Sequence, residues 1–269
     1  MGKVEAVFCT SHVLMSKKGV EEQAANVVQG LKEIGRRVNA LKPDLLVTIS
    51  SDHMINLQLK LQPRVVVGVA ESYIPFGDMG IPRKPLIGDR EFGKAFAHLA
   101  ADHGFDLCQA EELLLDHGTV LPLLFINSDF SIPITPILIN VNTDPCINPS
   151  RAYALGKVLG KAIEDSNKRV VVIGEGGLSH WLNIAGQHGI INEKFDQWVI
   201  EKISSGQVAE LAQLSTGDLL ENAGNGGLEI MNWIMAAATL PKGRGVPLYY
   251  EPIQTWFTGM GAVALEAAS

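Results

Sequence analysis

Short β-type apolar runs alternate with stretches of helical apolar spacing along this chain, and that alternation restricts the fold most. Val4–Thr10, Leu45–Ile49, Val65–Val69 and Lys168–Gly174 read as strands. Val20–Ala40, Asp89–His103 and Pro149–Asp165 carry apolar residues at three- and four-residue intervals, the period of a half-buried helix. Asn148 and Pro149 suit the cap and first position of the third helix. Further helices are expected at Glu193–Ser204, Val208–Leu214 and Gly227–Leu240. Strands interleaved with helices predict an α/β architecture, a central mixed sheet flanked by helices. Ile132–Val141 is also strand-like, but Pro136 cannot donate to a ladder, which predicts an edge or a bend. Val246–Thr258 reads as a final strand or an irregular lid. Without an internal repeat or linker, the 269 residues are expected to form one domain.

The histidines fall in a pattern that follows from this fold. Of seven, His12 follows VEAVFCTS, His53 follows LLVTISSD, and His180 follows RVVVIGEGGLS. His117 lies in LLLDHGTV, before another apolar stretch. Open α/β sheets bind ligands outside the carboxyl ends of their strands. Several imidazoles delivered to that edge predict a metal site with acid–base groups beside it. Glu229, in the Gly-rich turn of ENAGNGGLEIMNWI, can supply a carboxylate at a helix N-terminus, where the macrodipole favours negative charge. Two histidines and one carboxylate on one face leave positions open for substrate and suit non-haem Fe(II). Zn²⁺ accepts the same donors, so a hydrolase fits this spacing as well.

Composition removes other classes. A net charge of −7 lacks the basic footprint of a nucleic-acid binder. Cys9, Cys108 and Cys146 are odd in number and far apart, with no CxxC spacing, and read as reduced thiols. No apolar run approaches the length of a membrane span, and MGKVEAVFCTSH lacks the apolar core of a secretory signal. The expected location is cytoplasmic. His98 and His103, on the helix after Asp89, and His188, in a loop, are expected to lie outside the site. The apolar segment NWIMAAATL suggests a homo-oligomer.

The sequence also resembles the class III extradiol ring-cleavage dioxygenases, the catalytic-subunit family of protocatechuate 4,5-dioxygenase and gallate dioxygenase. The matching segments are TSHV at Thr10–Val13, SDH at Ser51–His53 and DHG at Asp116–Gly118. They continue with VVIGEGGLSHWL at Val171–Leu182, INEKFDQW at Ile191–Trp198 and AGNGGLEIMNWI at Ala223–Ile234. Each is short, but they occur in order and span most of the chain. The resemblance implies that His12, His53 and Glu229 hold Fe(II). It implies that His180 acts as an acid–base group, with His117 a second imidazole near the substrate. The implied reaction opens a small aromatic or heteroaromatic vicinal diol with O₂; a catalytically silent assembly subunit is the remaining reading within the family. Glu175 departs from the family pattern and is expected to face solvent. The stretch YYEPIQTWFTGMG departs too, and together with the Tyr73–Gly88 loop it is expected to set substrate choice through Tyr249 and Trp256.

Overall fold

In the computed structural model, which describes residues 1–266, helices cover both faces of one large mixed sheet. In chain order the strands are β1 (Lys3–Thr10), β2 (Leu45–Ser51), β3 (Val65–Gly68), β4 (Ser72–Pro75), β5 (Leu86–Ile87) and β6 (Cys108–Ala110). They continue with β7 (Leu114–Leu115), β8 (Ile134–Ile139), β9 (Arg169–Glu175), β10 (Arg244–Ile253) and β11 (Thr258–Glu266). The helices are α1 (Glu21–Leu41), α2 (Arg90–Asp102), α3 (His117–Ile126), α4 (Pro149–Asp165), α5 (Glu193–Ser204), α6 (Val208–Leu211), α7 (Thr216–Ala223) and α8 (Ile230–Ala238). Eight strands form the main sheet in the order β10-β11-β1-β9-β2-β8-β3-β6. Its centre, β1-β9-β2-β8, is parallel, whereas β11 joins β1 and β3 joins β8 antiparallel.

Parallel strands covered on both sides read as continuous apolar runs, and β2 and β8 are buried at every position. Alternate residues feed two cores. Val7, Cys9, Val47, Val170 and Val172 pack with α2, α4, α5 and α8. Ala6, Phe8, Leu46, Val171 and Ile173 pack with α1 and α3. Helix α8 is buried along its whole length, so the apolarity of NWIMAAATL is accounted for within one chain. No helix among the described residues is long and apolar enough to cross a membrane.

Two sequence expectations change. β8 is interior, between β2 and β3, not an edge. Pro136 is tolerated because the pairing with β3 runs only to Val67–Ile137, so the proline sits where that ladder stops. Gly68 lies opposite its ring and leaves the room the ring needs. The C-terminal stretch is a two-stranded extension rather than a lid. β10 ends at Ile253, a short 3-10 turn follows, and β11 returns beside β1.

Candidate metal centre

The strand ends deliver the predicted histidines to one place. β1 ends at Thr10 and brings in His12; β2 ends at Ser51 and brings in His53. Asp52 accepts the backbone N–H groups of Ile55, Asn56 and Leu57, which fixes the turn beyond His53. His117 is the first residue of α3, capped by Asp116 through Gly118 N–H at 2.9 Å. Donor nitrogens of His12, His53 and His117 lie within 4.8 Å of one another. Glu229 enters from the 3-10 turn before α8 and stands between two of them. Its Oε2 lies 3.4 Å from His12 Nε2, and its Oε1 lies 3.5 Å from His53 Nε2. Gly177 N–H donates to Oε2 at 2.7 Å and fixes the carboxylate.

The imidazoles are oriented by carboxylates the sequence reading did not assign. Asp116 Oδ2 accepts the backbone N–H of His53 at 2.8 Å and faces its Nδ1 at 3.1 Å. Asp78 Oδ2 faces His117 Nδ1 at 2.6 Å. Each contact occupies one ring nitrogen and leaves the other for the centre, the usual arrangement behind metal-bound histidines. Asp116 carried a signal only as part of the DHG segment that resembles the family. Asp78, in the loop after β4, carried none.

The electrostatics call for a cation. Burial lowers the His12 imidazole to about 4, so it is neutral, and its Nδ1 finds no partner among the described residues. Burial would raise the Glu229 carboxyl, but His12 and His53 outweigh it and hold it well below the usual range. Burial opposes charging of His53, yet Asp116 and Glu229 lift it well above an ordinary imidazole. A neutral imidazole, a buried carboxylate and a second imidazole that draws a proton between two carboxylates form a place where positive charge is favoured, which fits a divalent ion.

His180 reaches the same end of the sheet through the loop after β9. Its Nδ1 faces Leu178 O at 2.9 Å, leaving Nε2 uncommitted. The remaining histidines stay outside the cluster. His98 and His103 are exposed, and His188 is exposed and stacks on Phe257 with ring centroids 4.5 Å apart.

Three expectations are corrected here. Glu175 does not face solvent; it is completely buried, and neither carboxyl oxygen has a partner among the described residues. Tyr249 and Trp256 are not exposed lid residues. Tyr249 is buried with its hydroxyl 3.3 Å from Thr10 Oγ1, and the buried Trp256 donates its indole N–H to Ser16 O at 2.8 Å. Tyr73 is likewise core, its hydroxyl oxygen accepting Ala70 N–H. Phe257, in the same stretch, is half-buried.

Comparison with known proteins places this geometry. The family model described as the catalytic LigB subunit of aromatic ring-opening dioxygenase matches residues 6–261. A 2,3-dihydroxyphenylpropionate/2,3-dihydroxicinnamic acid 1,2-dioxygenase of Photorhabdus laumondii is 26% identical, covering 97% of this chain and 96% of its own. A protein of the same name from a Rhodococcus species is 27% identical, covering 97% and 99%. Among solved structures, an uncharacterized protein of Escherichia coli K12 superposes with a TM-score of 0.66 over 97% of this chain and 99% of that one. It is 13% identical and so shares the fold.

Proposed function

Since the chain belongs to the family of the catalytic LigB subunit of aromatic ring-opening dioxygenases and is an extradiol ring-cleavage enzyme, we propose that it opens a small aromatic vicinal diol using Fe(II) held by His12, His53 and Glu229. The observation that carries this reading is the Glu229 carboxylate, buried and set between His12 Nε2 and His53 Nε2. Bound Fe(II) would bring diol and dioxygen together and let electron density pass from ring to oxygen.

The chain's own residues have the remaining work. His180, with Nδ1 tied to a carbonyl, offers Nε2 as the base that takes a diol proton and later returns it. His117, held by Asp78, stands beside His53 with ring centroids 4.2 Å apart and presents its second nitrogen to the same space. Its role is to hold a hydrogen bond to substrate. Arg83 folds over Gly77, next to the Asp78 that holds His117. The relatives named for 2,3-dihydroxyphenylpropionate put that compound among the test substrates.

Anaerobic purification followed by metal analysis, then oxygen uptake on catechol, gallate, dihydroxypyridine and 2,3-dihydroxyphenylpropionate, tests the reading. Iron at about one per chain with uptake on at least one diol is expected. Stoichiometric zinc with no uptake on any diol would replace it with a hydrolase.

A further inference from the structure

We propose that Asp196 is a positioning residue for His180: from the first turn of α5 its carboxylate grips Ser179 and thereby sets where the next residue's imidazole stands. The inference rests on the proton-transfer role of His180.

Asp196 is fully buried despite its charge. Oδ1 accepts Ser179 N–H at 2.8 Å, and Oδ2 accepts the Ser179 hydroxyl at 2.9 Å and the Tyr250 hydroxyl at 2.8 Å. Ser179 Oγ accepts Asn192 N–H at 2.7 Å, from the residue that caps α5. On the far side, any side chain at Gly259 would collide with Oδ2, so the backbone of β11 closes against it. The loop after β9, helix α5, edge strand β10 and β11 therefore all meet on one carboxylate. Burying a carboxylate is costly unless each oxygen is matched, and here two of the three donors come from the residue before His180.

His180 is braced equally on its other side. Its N–H donates to Ala223 O at 2.8 Å, and its carbonyl accepts Gly226 N–H at 3.1 Å. The imidazole lies against Gly226, where any Cβ would collide with it. The turn from Ala223 to Gly226 runs on directly to Glu229. One end of this brace thus sets the carboxylate of the metal centre, and the other, through Asp196, sets the proton-transfer group.

The test compares Asp196→Asn, Ser179→Ala, Tyr250→Phe and His180→Gln, together with Asp196→Asn combined with His180→Gln. The full chain is loaded anaerobically with iron and given the diol that the unaltered protein oxidises fastest. Bound iron and KM should stay unchanged in Asp196→Asn while kcat falls by about 10²-fold, the effect of misplacing a reacting group by about an ångström. Smaller losses are expected for Ser179→Ala and Tyr250→Phe. The double variant should keep the kcat of His180→Gln, because a residue that acts through another has no effect once that other is gone. Losses that multiply in the double variant, full kcat in Asp196→Asn, or loss of its iron would overturn the clamp and leave the role of His180 standing. Full kcat in His180→Gln would instead overturn the reading on which the clamp rests. If Asp196→Asn fails to fold, Ser179→Ala and Tyr250→Phe carry the same comparison with His180→Gln.

Discussion

Glu229 and Glu175 come to the same end of the sheet from its two faces, both removed from water, and take opposite charge states. Glu229 arrives from the α8 side and finds two imidazoles and a backbone N–H. Glu175 ends β9 in register with Thr10, and its side chain follows Val171 and Ile173 toward α1 and α3. There burial pushes its carboxyl well above the usual range, helped by the negative charge of Asp116, and it keeps its proton. A buried carboxylate stays charged only where paired groups replace its water. The two faces therefore differ in function: one concentrates negative charge for a cation, and the other holds a neutral acid.

The hardest test of this contrast removes the charged side. His12→Ala, His53→Ala and Glu229→Ala should each lose bound iron after anaerobic reconstitution and lose ring-opening activity with it. In the proposed centre three donors hold the ion, and His117, whose second nitrogen faces the same space, is the one group in the cluster placed to stand in for a lost ligand. Full iron occupancy and normal turnover in any one variant would remove that residue from the centre. His117→Phe belongs in the same series: retained iron with reduced kcat keeps it as a substrate group, and lost iron makes it a ligand.

A smaller effect is expected one contact further out. Asp116→Asn keeps the shape but removes the charge that faces His53 Nδ1. Removing such a partner typically weakens metal affinity by about 10–100-fold. A competitive chelator titration reads this directly. Affinity equal to that of the unaltered protein would show that Asp116 serves only as the cap of α3.

The sequence made the histidines legible because each follows a strand or opens a helix, and a parallel sheet gathers such positions at one edge. The helix at Pro149–Asp165 was legible through its cap and periodicity, and the structure has it and the expected Glu193–Ser204 helix at those bounds. Helix α3 was not, because HGTVLPLLFI is apolar all round and contains Pro122, so it carries no helical stripe. The aromatic stretch misled for a related reason. Tyr249 and Trp256 look like binding residues in a row of letters, yet their polar atoms tie the chain to Thr10 and Ser16, far away in sequence. Asp78 and Asp196 act through such long-range contacts too, which neither spacing nor period reveals. Glu175 was visible as a departure, but its burial depends on the helix laid over it.

Glu175→Gln gives the smallest effect on catalysis and the sharpest reading of the contrast. Glutamine has nearly the same shape and no proton to lose, so iron content and kcat should match the unaltered protein. Stability should not. Below pH 4.5, the ordinary value for this group, the folded and unfolded chains both hold the proton, and the residue contributes no pH dependence. Above that, the unfolded chain releases the proton while the folded chain retains it, so ionisation favours unfolding. The penalty grows by about 1.4 kcal/mol per pH unit until the folded group itself titrates. Glu175→Gln removes this slope, so denaturant unfolding from pH 5 to 8 should show the variant gaining stability relative to the unaltered chain as pH rises. Glu229, with its carboxyl held low, has the reverse sign: its stabilising contribution is present above pH 4.5 and fades only as acid protonates it. A pH-independent difference between Glu175→Gln and the unaltered protein would mean that Glu175 is charged and partnered, and the two faces would then be electrostatically alike.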